Sequence, residues 1–572
     1  MKRQRLIVVG LDGFDAALSE RLMAEGQMPA FAALKARAAR FPVDEGTARQ
    51  SGLPWEHVSS GLSPEAANRW SGVSYDPATY TAWQDGSHLD PWWAKTDLRV
   101  LVFDPPFVDI RHAKNTQGIV GWGSHSPGTS ATARPTSLHQ EFVLRFGEYP
   151  AEEWTYGTPW SSAARARQMG EALSHAVDVR SRAAQWLAFE RFRDWDMFYL
   201  VVAELHGAVE GLWHGVDPSH PLHSHASAPA AAEALYEIHR ALDRMIGQLV
   251  AAAGDATILA FNSGGMGSNT CDVQSMVLLP ELLYRNTFGK PLLTLPREWT
   301  AHADRLPMMA ENDTWDAVNQ SWVPEPAPPV SESAATSDSA TAASPLRAIA
   351  RRLPAPAKAL LKGARAAALT LRARANSESG TAALTRQELD YIPGYRYQRY
   401  WPKMAAFAFP AFLDGRVRIN LRGRERDGIV DLADYEETLR SIEELLHECR
   451  DPRTGKPSVA SIERASTPNP MEVTNSEGDL LVVWNGVVAA MEHPRLGLIG
   501  PVPIRRTGGH TCDGVAYLLA SGVAVGDRAM RSSSDIVPTI VELLHASPAV
   551  AISGKSFLDA PVISYVPVLA GK

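Results

Sequence analysis

Two acidic side chains and a histidine occur where short apolar runs of this sequence end. Asp12 follows the apolar residues 6–9 and a Gly-Leu pair, while Glu204 and His206 follow the apolar residues 197–202. Carboxylate oxygens and imidazole nitrogens bind divalent metals such as zinc, and they also transfer protons in catalysis. A single aspartate between a strand and a helix is also typical of a turn or a helix cap. The residue types therefore indicate a metal or acid–base site, with a structural role for Asp12 as the alternative.

The elements that must position these groups alternate between strands and helices. Helices are predicted for residues 16–39 and 232–253, the latter from apolar residues at three- and four-residue steps. Short apolar runs typical of strands buried on both faces lie at 6–9, 197–202, 256–261, 480–483 and 515–518. This alternation predicts an α/β fold with an open, doubly wound sheet.

The topology of such a sheet predicts where its polar groups meet. Reactive groups in doubly wound sheets gather at the carboxyl ends of the strands. Asp12, Glu204 and the glycine-rich loop at 262–267 all follow predicted strands. We therefore expect them to converge at one edge of the sheet.

Several short segments, in order along nearly the whole chain, carry a family resemblance. They are GLDG at 10–13, INLRGRERDGIV at 419–430, RDPRTG at 450–455, GGHTCDG at 508–514 and DIVPTI at 535–540. Together they resemble the type I phosphodiesterase/nucleotide-pyrophosphatase branch of the alkaline-phosphatase superfamily. The resemblance implies a mostly parallel sheet with inserted cap segments. It also implies two divalent metals, usually zinc, and a Thr or Ser nucleophile that acts on phosphate esters.

The nucleophile position of that family falls on Glu56, within LPWEHVSSG at 53–61. A glutamate does not replace an alkoxide in phosphoryl transfer. It is able instead to ligate a metal, act as a general base or attack carbon, as glycosidase carboxylates do. Ser59 and Ser60 supply an alkoxide only if the alignment is shifted.

The resemblance also implies metal ligands, and this sequence keeps some of them. Asp12 matches the first metal-binding aspartate of the family, and His510 matches its last histidine. Glu204 takes an aspartate position, but Ala208 stands at the histidine position that follows it. The Asp-His pair expected after the third strand is replaced by residues 263–264, Ser-Gly, which lack carboxylate and imidazole donors.

Two arrangements of the remaining donors stay open. In the first, Glu204, His206 and His510 hold one divalent metal, with zinc the expected ion, and Asp12 and Glu56 form a catalytic carboxylate pair. Asp12 is a further metal-ligand candidate through its match to the family. In the second arrangement the site holds no metal.

Candidate substrate-binding residues lie in two parts of the chain. Trp122 and His125 belong to a tryptophan-rich stretch, and flat aromatic faces suit sugar rings or nucleobases. Arg422 and Arg424 are able to clamp an anionic group through paired N–H donors. The alternatives are an aromatic core for the tryptophans and a surface ion-pair network for the arginines.

Three functions are consistent with these residues. The first is a hydrolase or transferase acting on a phosphorylated or sulfated nucleotide or sugar conjugate, with an altered one-metal site. The second is a glycosidase-like enzyme that uses Glu56 and a second carboxylate. The third is a non-catalytic pseudoenzyme that keeps its pocket for binding or scaffolding.

Composition limits the classes of protein to which the chain can belong. With 572 residues, 45% hydrophobic and a net charge of −8, it is a globular chain without a general tendency to bind nucleic acid. Three widely spaced cysteines, no signal-peptide core and no apolar run of about 20 residues favour a cytoplasmic protein.

The predicted organisation has three parts. Residues 1–323 form the first part of the core, with an aromatic-rich insertion at about 62–195, and residues 396–572 complete the core. Residues 324–395 comprise a flexible linker and a basic amphipathic helical insertion. Its basic stretch at 346–374 is a candidate for peripheral contact with an anionic membrane, and the alternative is a helix docked on the protein.

Overall fold

The structure is a computed structural model. The residues it describes all belong to one unit made of Met1–Trp322 and Arg386–Lys572. They are residues 4–46, 51–86, 89–124, 126, 131–155, 162–301, 306–308, 318, 387–389 and 391–559. The predicted linker and the basic stretch at 346–374 lie outside the described residues. No helix among the described residues is both long and apolar enough to cross a membrane.

The strands are numbered in chain order. They are β1 Leu6–Leu11, β2 Ala39–Asp44, β3 Val73–Asp76, β4 Thr81–Gln84, β5 Val100–Phe103, β6 Thr116–Val120, β7 Thr132–Arg134, β8 Met197–Val202, β9 Thr257–Asn262, β10 Met266–Ser268, β11 Gln387–Glu388, β12 Ala406–Phe409, β13 Gly415–Ile419, β14 Val459–Arg464, β15 Leu480–Trp484, β16 Met491–His493, β17 Gly497–Ile499, β18 Gly508–His510, β19 Asp513–Leu519, β20 Gly526–Asp527 and β21 Arg531–Ser532.

The α-helices are numbered in the same way. They are α1 Ala16–Ala24, α2 Pro29–Lys35, α3 Pro54–Ser60, α4 Pro64–Ala67, α5 Ser137–Phe146, α6 Ala163–Gln185, α7 Glu204–Leu212, α8 Ala228–Ala253, α9 Leu279–Phe288, α10 Arg297–Thr300, α11 Tyr435–His447 and α12 Ile536–Leu543. Trp186–Arg191 and Gln274–Leu278 are π-helical, and the longest 3₁₀ segment is Pro393–Lys403.

A large, mostly parallel sheet forms the centre of the described structure. Its ten strands within the described residues run in the order β20, β2, β19, β9, β1, β8, β5, β6, β7, with β21 also paired to β2. Strand β1 is parallel to both β8 and β9, and β5 is parallel to β8 and β6. Strand β19 is antiparallel to β2 and β9. The predicted α/β class with a doubly wound, mostly parallel sheet is confirmed.

Both faces of this sheet are covered, as the fully buried sequence of β1 requires. Ile7, Val9 and Leu11 pack in an apolar cluster with residues of α1, α2, α6 and α8. Leu6 and Val8 point the other way, into a cluster that includes residues of α3 and α12. The alternation of side chains along a strand produces this division.

A second, smaller sheet has its own core. Its antiparallel strands run in the order β12, β13, β15, β14. Phe407, Val417 and Val482 from these strands pack with Leu282 of α9 and Leu445 of α11. This sheet carries the arginine-rich segment that begins at the end of β13.

Two sequence expectations change in the structure. The helix predicted for 16–39 is divided into α1 and α2, because Gly26 adopts a positive φ of 75° and Pro29 starts the second helix. The chain then enters β2 at Ala39. The segment at 62–195, expected to be an insertion, supplies β5, β6 and β7 to the central sheet.

Candidate functional site

Asp12 and the start of α7 lie at the carboxyl edge of the central sheet. Leu11 of β1 pairs with Val202 of β8, and the Asp12 N–H donates to the Val202 carbonyl over 2.9 Å. Gly13, at a φ of 83°, lets the chain pass so close to His206 that a Cβ at this position would overlap its backbone. The expected convergence of the two strand ends is therefore found for Asp12 and the first turn of α7.

His206 links two buried carboxylates. Its Nδ1 lies 3.3 Å from Asp12 Oδ1, and its Nε2 lies 3.4 Å from Glu210 Oε1, one helical turn further along α7. Burial by itself would lower the pKa of His206. The negative charges of Asp12 and Glu210 outweigh it and raise that pKa to about 10. His206 is therefore a cation at neutral pH, with an N–H directed at each carboxylate.

Arg506 continues this arrangement of charges beyond α7. Its guanidinium forms ion pairs with Glu210 and Asp272, and its Nε donates to Asp272 Oδ2 over 2.7 Å. The chain then enters β18, which brings the His510 ring to 4.9 Å from the His206 ring. Burial, followed by the positive charge of His206, lowers the pKa of His510 to about 4. The strand-edge cluster, as we name it, consists of Asp12, His206, Glu210, Asp272, Arg506 and His510.

Glu204, predicted as a metal ligand with His206 and His510, is bound by an arginine instead. Arg180 Nε donates to both carboxylate oxygens of Glu204, over 2.8 and 3.0 Å. The same guanidinium lies 2.9 Å from Asp104, and all three side chains are fully buried. The Glu204 carboxylate is thus paired with Arg180, and the single-metal set of Glu204, His206 and His510 stays a prediction.

Glu56 has a similar environment. It lies on α3, is fully buried, and accepts a 2.6 Å hydrogen bond from Arg69 Nε. Arg69 is held in turn by the Gly86 carbonyl. Glu56 and Asp12, predicted as a catalytic pair, thus each have a cationic partner, Arg69 for the first and His206 for the second.

The position that the resemblance assigns to a metal-binding histidine has no room for a side chain. A Cβ on Gly264 would overlap the Glu45 carboxylate and lie 2.7 Å from the Thr511 carbonyl oxygen. Glu45, just after β2, is itself buried. An imidazole at residue 264 is therefore incompatible with this packing.

These donors do not fit the two metals that the resemblance implies. Among the described residues, no group of three or more His, Cys, Asp or Glu side chains is arranged to hold a metal ion. The contacts of the site agree, because the carboxylates that would bind a metal already form ion pairs. Their partners are Arg180, Arg69 and His206. Each of these three carboxylates is therefore paired with a protein cation.

The predicted substrate-binding residues are separated. Trp122 is half-buried, its ring lies 5.2 Å from the Arg180 guanidinium carbon, and its backbone N–H donates to Asp104. His125 lies outside the described residues. Arg422 is on the surface, paired with Asp431.

Arg424 belongs to a buried network in the smaller sheet. It forms two hydrogen bonds to Asp479, of 2.7 and 2.8 Å, and pairs with Glu425. Glu425 also binds Arg418, and Tyr435 donates to Asp479. We name these five residues the second-sheet network. Both guanidinium groups have carboxylate partners, and the anion clamp expected from Arg422 and Arg424 stays a prediction.

Sequence reasoning missed three members of the strand-edge cluster. Glu210 had a usable signal, because it lies four residues after His206 on one helix and therefore on the same face. Arg506 and Asp272 come from distant parts of the chain and carry no local pattern that indicates their pairing. Only the fold brings them together.

Comparisons with known proteins address the family directly. The sequence model of the family described as type I phosphodiesterase / nucleotide pyrophosphatase matches residues 6–371. No curated protein matches the chain in sequence.

Solved structures also match the chain. Phosphonoacetate hydrolase from Sinorhizobium meliloti 1021, in complex with phosphonoformate, is 11% identical, with 91% of this chain and 90% of that chain covered and a TM-score of 0.43. Murine ectonucleotide pyrophosphatase / phosphodiesterase 5 is 9% identical, with 96% and 98% covered and a TM-score of 0.43. The human protein of the same name is 10% identical, with 96% and 97% covered and a TM-score of 0.44. Because the family model matches more than half of this chain, the chain belongs to the type I phosphodiesterase / nucleotide pyrophosphatase family.

Proposed function

We propose that this protein is a phosphoester hydrolase whose substrate binds at the exposed side of the strand-edge cluster. Family membership supports the reaction class. The observation that carries the proposal is the segment 505–510, in which Arg505, Arg506 and His510 remain partly exposed while Asp12, His206 and Glu210 are buried. An ester that approaches from solvent would therefore first contact the guanidinium groups of Arg505 and Arg506 and the imidazole of His510.

The balance of charge at this place suits an anionic substrate. The buried carboxylates of Asp12, Glu210 and Asp272 would repel a phosphate group if they were left alone. His206 and Arg506 pair with them, and Arg505 adds a third positive charge close by. Guanidinium groups bind phosphate oxygens through paired N–H donors, so the arginines are suited to hold the ester.

His510 is the group best suited to move a proton. Its lowered pKa of about 4 makes it neutral at physiological pH, so that it is able to accept a proton. A bound anion would raise that pKa, because the opposite charge favours the imidazolium form. The more specific proposal is a phosphate or sulfate ester of a nucleotide or sugar, acted on without the family's two-metal centre.

The test uses the purified full chain with bis(p-nitrophenyl) phosphate and p-nitrophenyl sulfate, with and without a metal chelator. We expect release of p-nitrophenol that the chelator leaves unchanged. His510→Asn is expected to lower kcat/KM at least tenfold, since it removes the proton acceptor. His447→Asn changes an exposed histidine of α11 and serves as the matched control. No turnover, or turnover that His510→Asn leaves unchanged, would contradict the proposal.

A second candidate is a protein that binds a phosphorylated ligand without turning it over. The observation in its favour is that Glu56 and Glu204, at family catalytic and metal positions, are held by Arg69 and Arg180. The same assay, run beside calorimetric titration with a nucleoside monophosphate, separates the candidates. Binding that His510→Asn weakens, without any turnover, supports the second.

The glycosidase-like alternative is the least supported by the contacts. It needs Glu56 as an acid or nucleophile together with a second carboxylate. The short hydrogen bond from Arg69 holds the Glu56 side chain in a fully buried position, where it is already engaged by a protein group.

A further inference from the structure

The strand that carries His510 has little sheet pairing to hold it in place. Strand β18 is three residues long, and among the described strands it pairs with β10 alone, so that Met266 lies opposite His510 and Ser268 opposite Gly508. A two-stranded sheet of this length is marginal by itself. The position of His510 therefore depends on the other contacts that β18 makes.

Asn269, the residue after β10, makes four hydrogen bonds that supply such contacts. Its backbone N–H donates to the Thr507 carbonyl over 3.0 Å, and its side-chain Nδ2 donates to the Gly508 carbonyl over 3.1 Å. Its Oδ1 accepts hydrogen bonds from the N–H groups of Cys271 and Asp272, both of 3.0 Å. The residue is buried, with 6% of its surface exposed.

The chemistry of these partners fixes the orientation of the Asn269 amide. A carbonyl oxygen only accepts a hydrogen bond and a backbone N–H only donates one, so Nδ2 faces Gly508 and Oδ1 faces the loop at 271–272. An aspartate would present an oxygen to the Gly508 carbonyl, and a serine would lack the donor. Asparagine therefore has the donor and the acceptor that the two sides require.

Helix capping explains only one of these two sides. The bonds to Oδ1 are typical of an asparagine in the turn before a helix, and a helical segment begins at residue 272. Capping makes no use of Nδ2, which instead joins Asn269 to Gly508, 239 residues away in the chain. The bond to β18 is therefore additional to the cap.

Strand β18 is also packed closely against α7. A Cβ on Gly508 would overlap the Val209 carbonyl, and the Thr507 N–H donates to the Glu210 carbonyl over 2.7 Å. The helix and the loop with Asn269 therefore define together where His510 lies.

Both sides of Asn269 lead to groups that the proposed function uses. On the loop side, Asp272 forms the ion pair with Arg506, with 2.7 Å between Arg506 Nε and Asp272 Oδ2. On the strand side, Gly508 lies two residues before His510 in β18. Asn269 thus binds both the loop that orients the arginine and the strand that carries the histidine.

We propose that Asn269 is a positioning residue that aligns Arg506 and His510 on the same ester. The inference rests on the proposed hydrolase function and deepens it by naming the group that couples ester binding to proton transfer. Arg506 holds the anion and His510 moves the proton. A misplacement of about 1 Å between such groups is able to lower a rate about 100-fold.

Two substitutions separate the two sides in steady-state kinetics with bis(p-nitrophenyl) phosphate. Asn269→Ser keeps an oxygen that accepts from the loop N–H groups and loses the donor to Gly508. We expect it to lower kcat at least tenfold and to leave KM within twofold, because Arg506 keeps its support and His510 loses alignment. Asn269→Ala loses both sides and should also raise KM at least fivefold.

Asn115→Ala is the matched control for a purely structural role. Asn115 Nδ2 donates to the carbonyls of Trp93 and Leu98 over 2.8 and 2.9 Å, just before β6 begins, so it joins backbone segments at the amino edge of the sheet. Its loss should destabilise the protein to urea while kcat and KM stay within twofold. Equal kinetic losses in Asn115→Ala and Asn269→Ala would overturn the inference.

Hydrogen exchange followed by mass spectrometry gives a readout that needs no substrate. The amides of residues 505–510 should exchange at least fivefold faster in Asn269→Ala than in the native chain, and at the native rate in Asn115→Ala. Unchanged exchange of this segment in Asn269→Ala would overturn the inference, whether or not the chain hydrolyses an ester.

The two readouts separate this inference from the proposed function. An active native chain whose kcat and KM are unchanged in folded Asn269→Ala would remove Asn269 from the mechanism and leave the hydrolase standing. Faster exchange of residues 505–510 in a chain that hydrolyses no ester would support the positioning of this segment by Asn269 and contradict the hydrolase.

Discussion

Two of the buried ion-pair networks among the described residues, the second-sheet network and the strand-edge cluster, differ in their cations. In the second-sheet network the positive charges are the arginines Arg418 and Arg424, bound to Glu425 and Asp479 over 2.7 to 3.0 Å. In the strand-edge cluster an imidazole, that of His206, links two carboxylates at 3.3 and 3.4 Å. The cations of the first network are guanidinium groups with a fixed charge, whereas those of the second include an imidazole that titrates.

This difference suits the second-sheet network to a structural role and, under the proposed function, the strand-edge cluster to a chemical one. Arginine stays protonated throughout the range in which proteins are folded, so the cations of the second-sheet network keep their charge. Its carboxylates are further fixed by the backbone, since the Ile419 N–H donates to Asp479 and the Leu421 N–H donates to Glu425. The strand-edge cluster has His510 at its exposed side, and under the proposed function the charge of His510 changes when an anion binds.

The largest predicted effect comes from breaking the second-sheet network. Asp479→Ala leaves Arg424 buried without its two-bond partner, and we expect a loss of about 3–5 kcal/mol in the free energy of unfolding. Urea unfolding followed by circular dichroism measures it. Glu437→Ala, which breaks an exposed pair with Arg440, is the control, with an expected loss of less than about 1 kcal/mol. Equal losses for the two variants would contradict the structural role.

A smaller effect is expected from His206→Gln, since Arg506 still neutralises Glu210 in this variant. Removing a charged hydrogen-bond donor from Asp12 and Glu210 is expected to destabilise the protein by about 2 kcal/mol at pH 7. Urea unfolding of both chains at pH 7 measures this difference in the free energy of unfolding.

The pH dependence of the same variant tests the charge of His206. The folded-state pKa of about 10 lies above the usual 6.5, so the folded state binds the additional proton between these values. The stabilisation from His206 is therefore complete below about pH 6.5 and is lost as the pH rises through about 10. Unfolding measured from pH 6.5 to 9.5 should reveal this decline in the native chain and a flatter profile in His206→Gln. A decline of the same size in both chains would contradict the assignment.

Much of the fold could be predicted from the sequence, because buried parallel strands leave a clear local pattern. The predicted strand at 197–202 is found as Met197–Val202, and the run at 256–261 is found one residue along as Thr257–Asn262. A short run with apolar residues on both faces is typical of a strand covered by helices on each side. The division of α1 from α2 was missed, although Gly26 and Pro29 were visible in the sequence as residues that interrupt helices.

The candidate site could be predicted only in part, because its partners are distant in the chain. Asp12, His206 and His510 were named and do lie close together. The cations that bind Glu204 and Glu56 were not foreseen, since an arginine 24 residues before Glu204 in the chain has no spacing that indicates an ion pair. Pairing of this kind depends on the packing of α6 against the sheet.

A buried histidine outside both networks should contribute to the acid sensitivity of the protein. His239 on α8 is fully buried, donates to the Leu235 carbonyl, and has a pKa lowered to about 4 by burial. The unfolded chain then binds more protons between about pH 6.5 and 4, so stability is lost as the pH falls through that window, by at most about 1.4 kcal/mol per pH unit for this group. His239→Gln should reduce the loss measured by urea unfolding at pH 7, 6 and 5, and His447→Gln, on an exposed residue, should not. An unchanged profile in His239→Gln would assign the acid sensitivity elsewhere.

The smallest effect is expected for Arg422, whose side chain tests whether the arginine-rich segment binds substrate. Arg422 is exposed and pairs with Asp431 at the surface, so Arg422→Ala should change the free energy of unfolding by less than about 1 kcal/mol. If the strand-edge cluster holds the ester, kcat/KM of this variant for an aryl phosphodiester stays within twofold of the native value. An anion clamp at this arginine would instead raise KM at least tenfold, because a charged hydrogen bond to phosphate contributes about 1.5–3 kcal/mol. Steady-state kinetics of Arg422→Ala and His510→Asn, measured side by side, therefore show whether the arginine-rich segment or the strand-edge cluster binds the substrate.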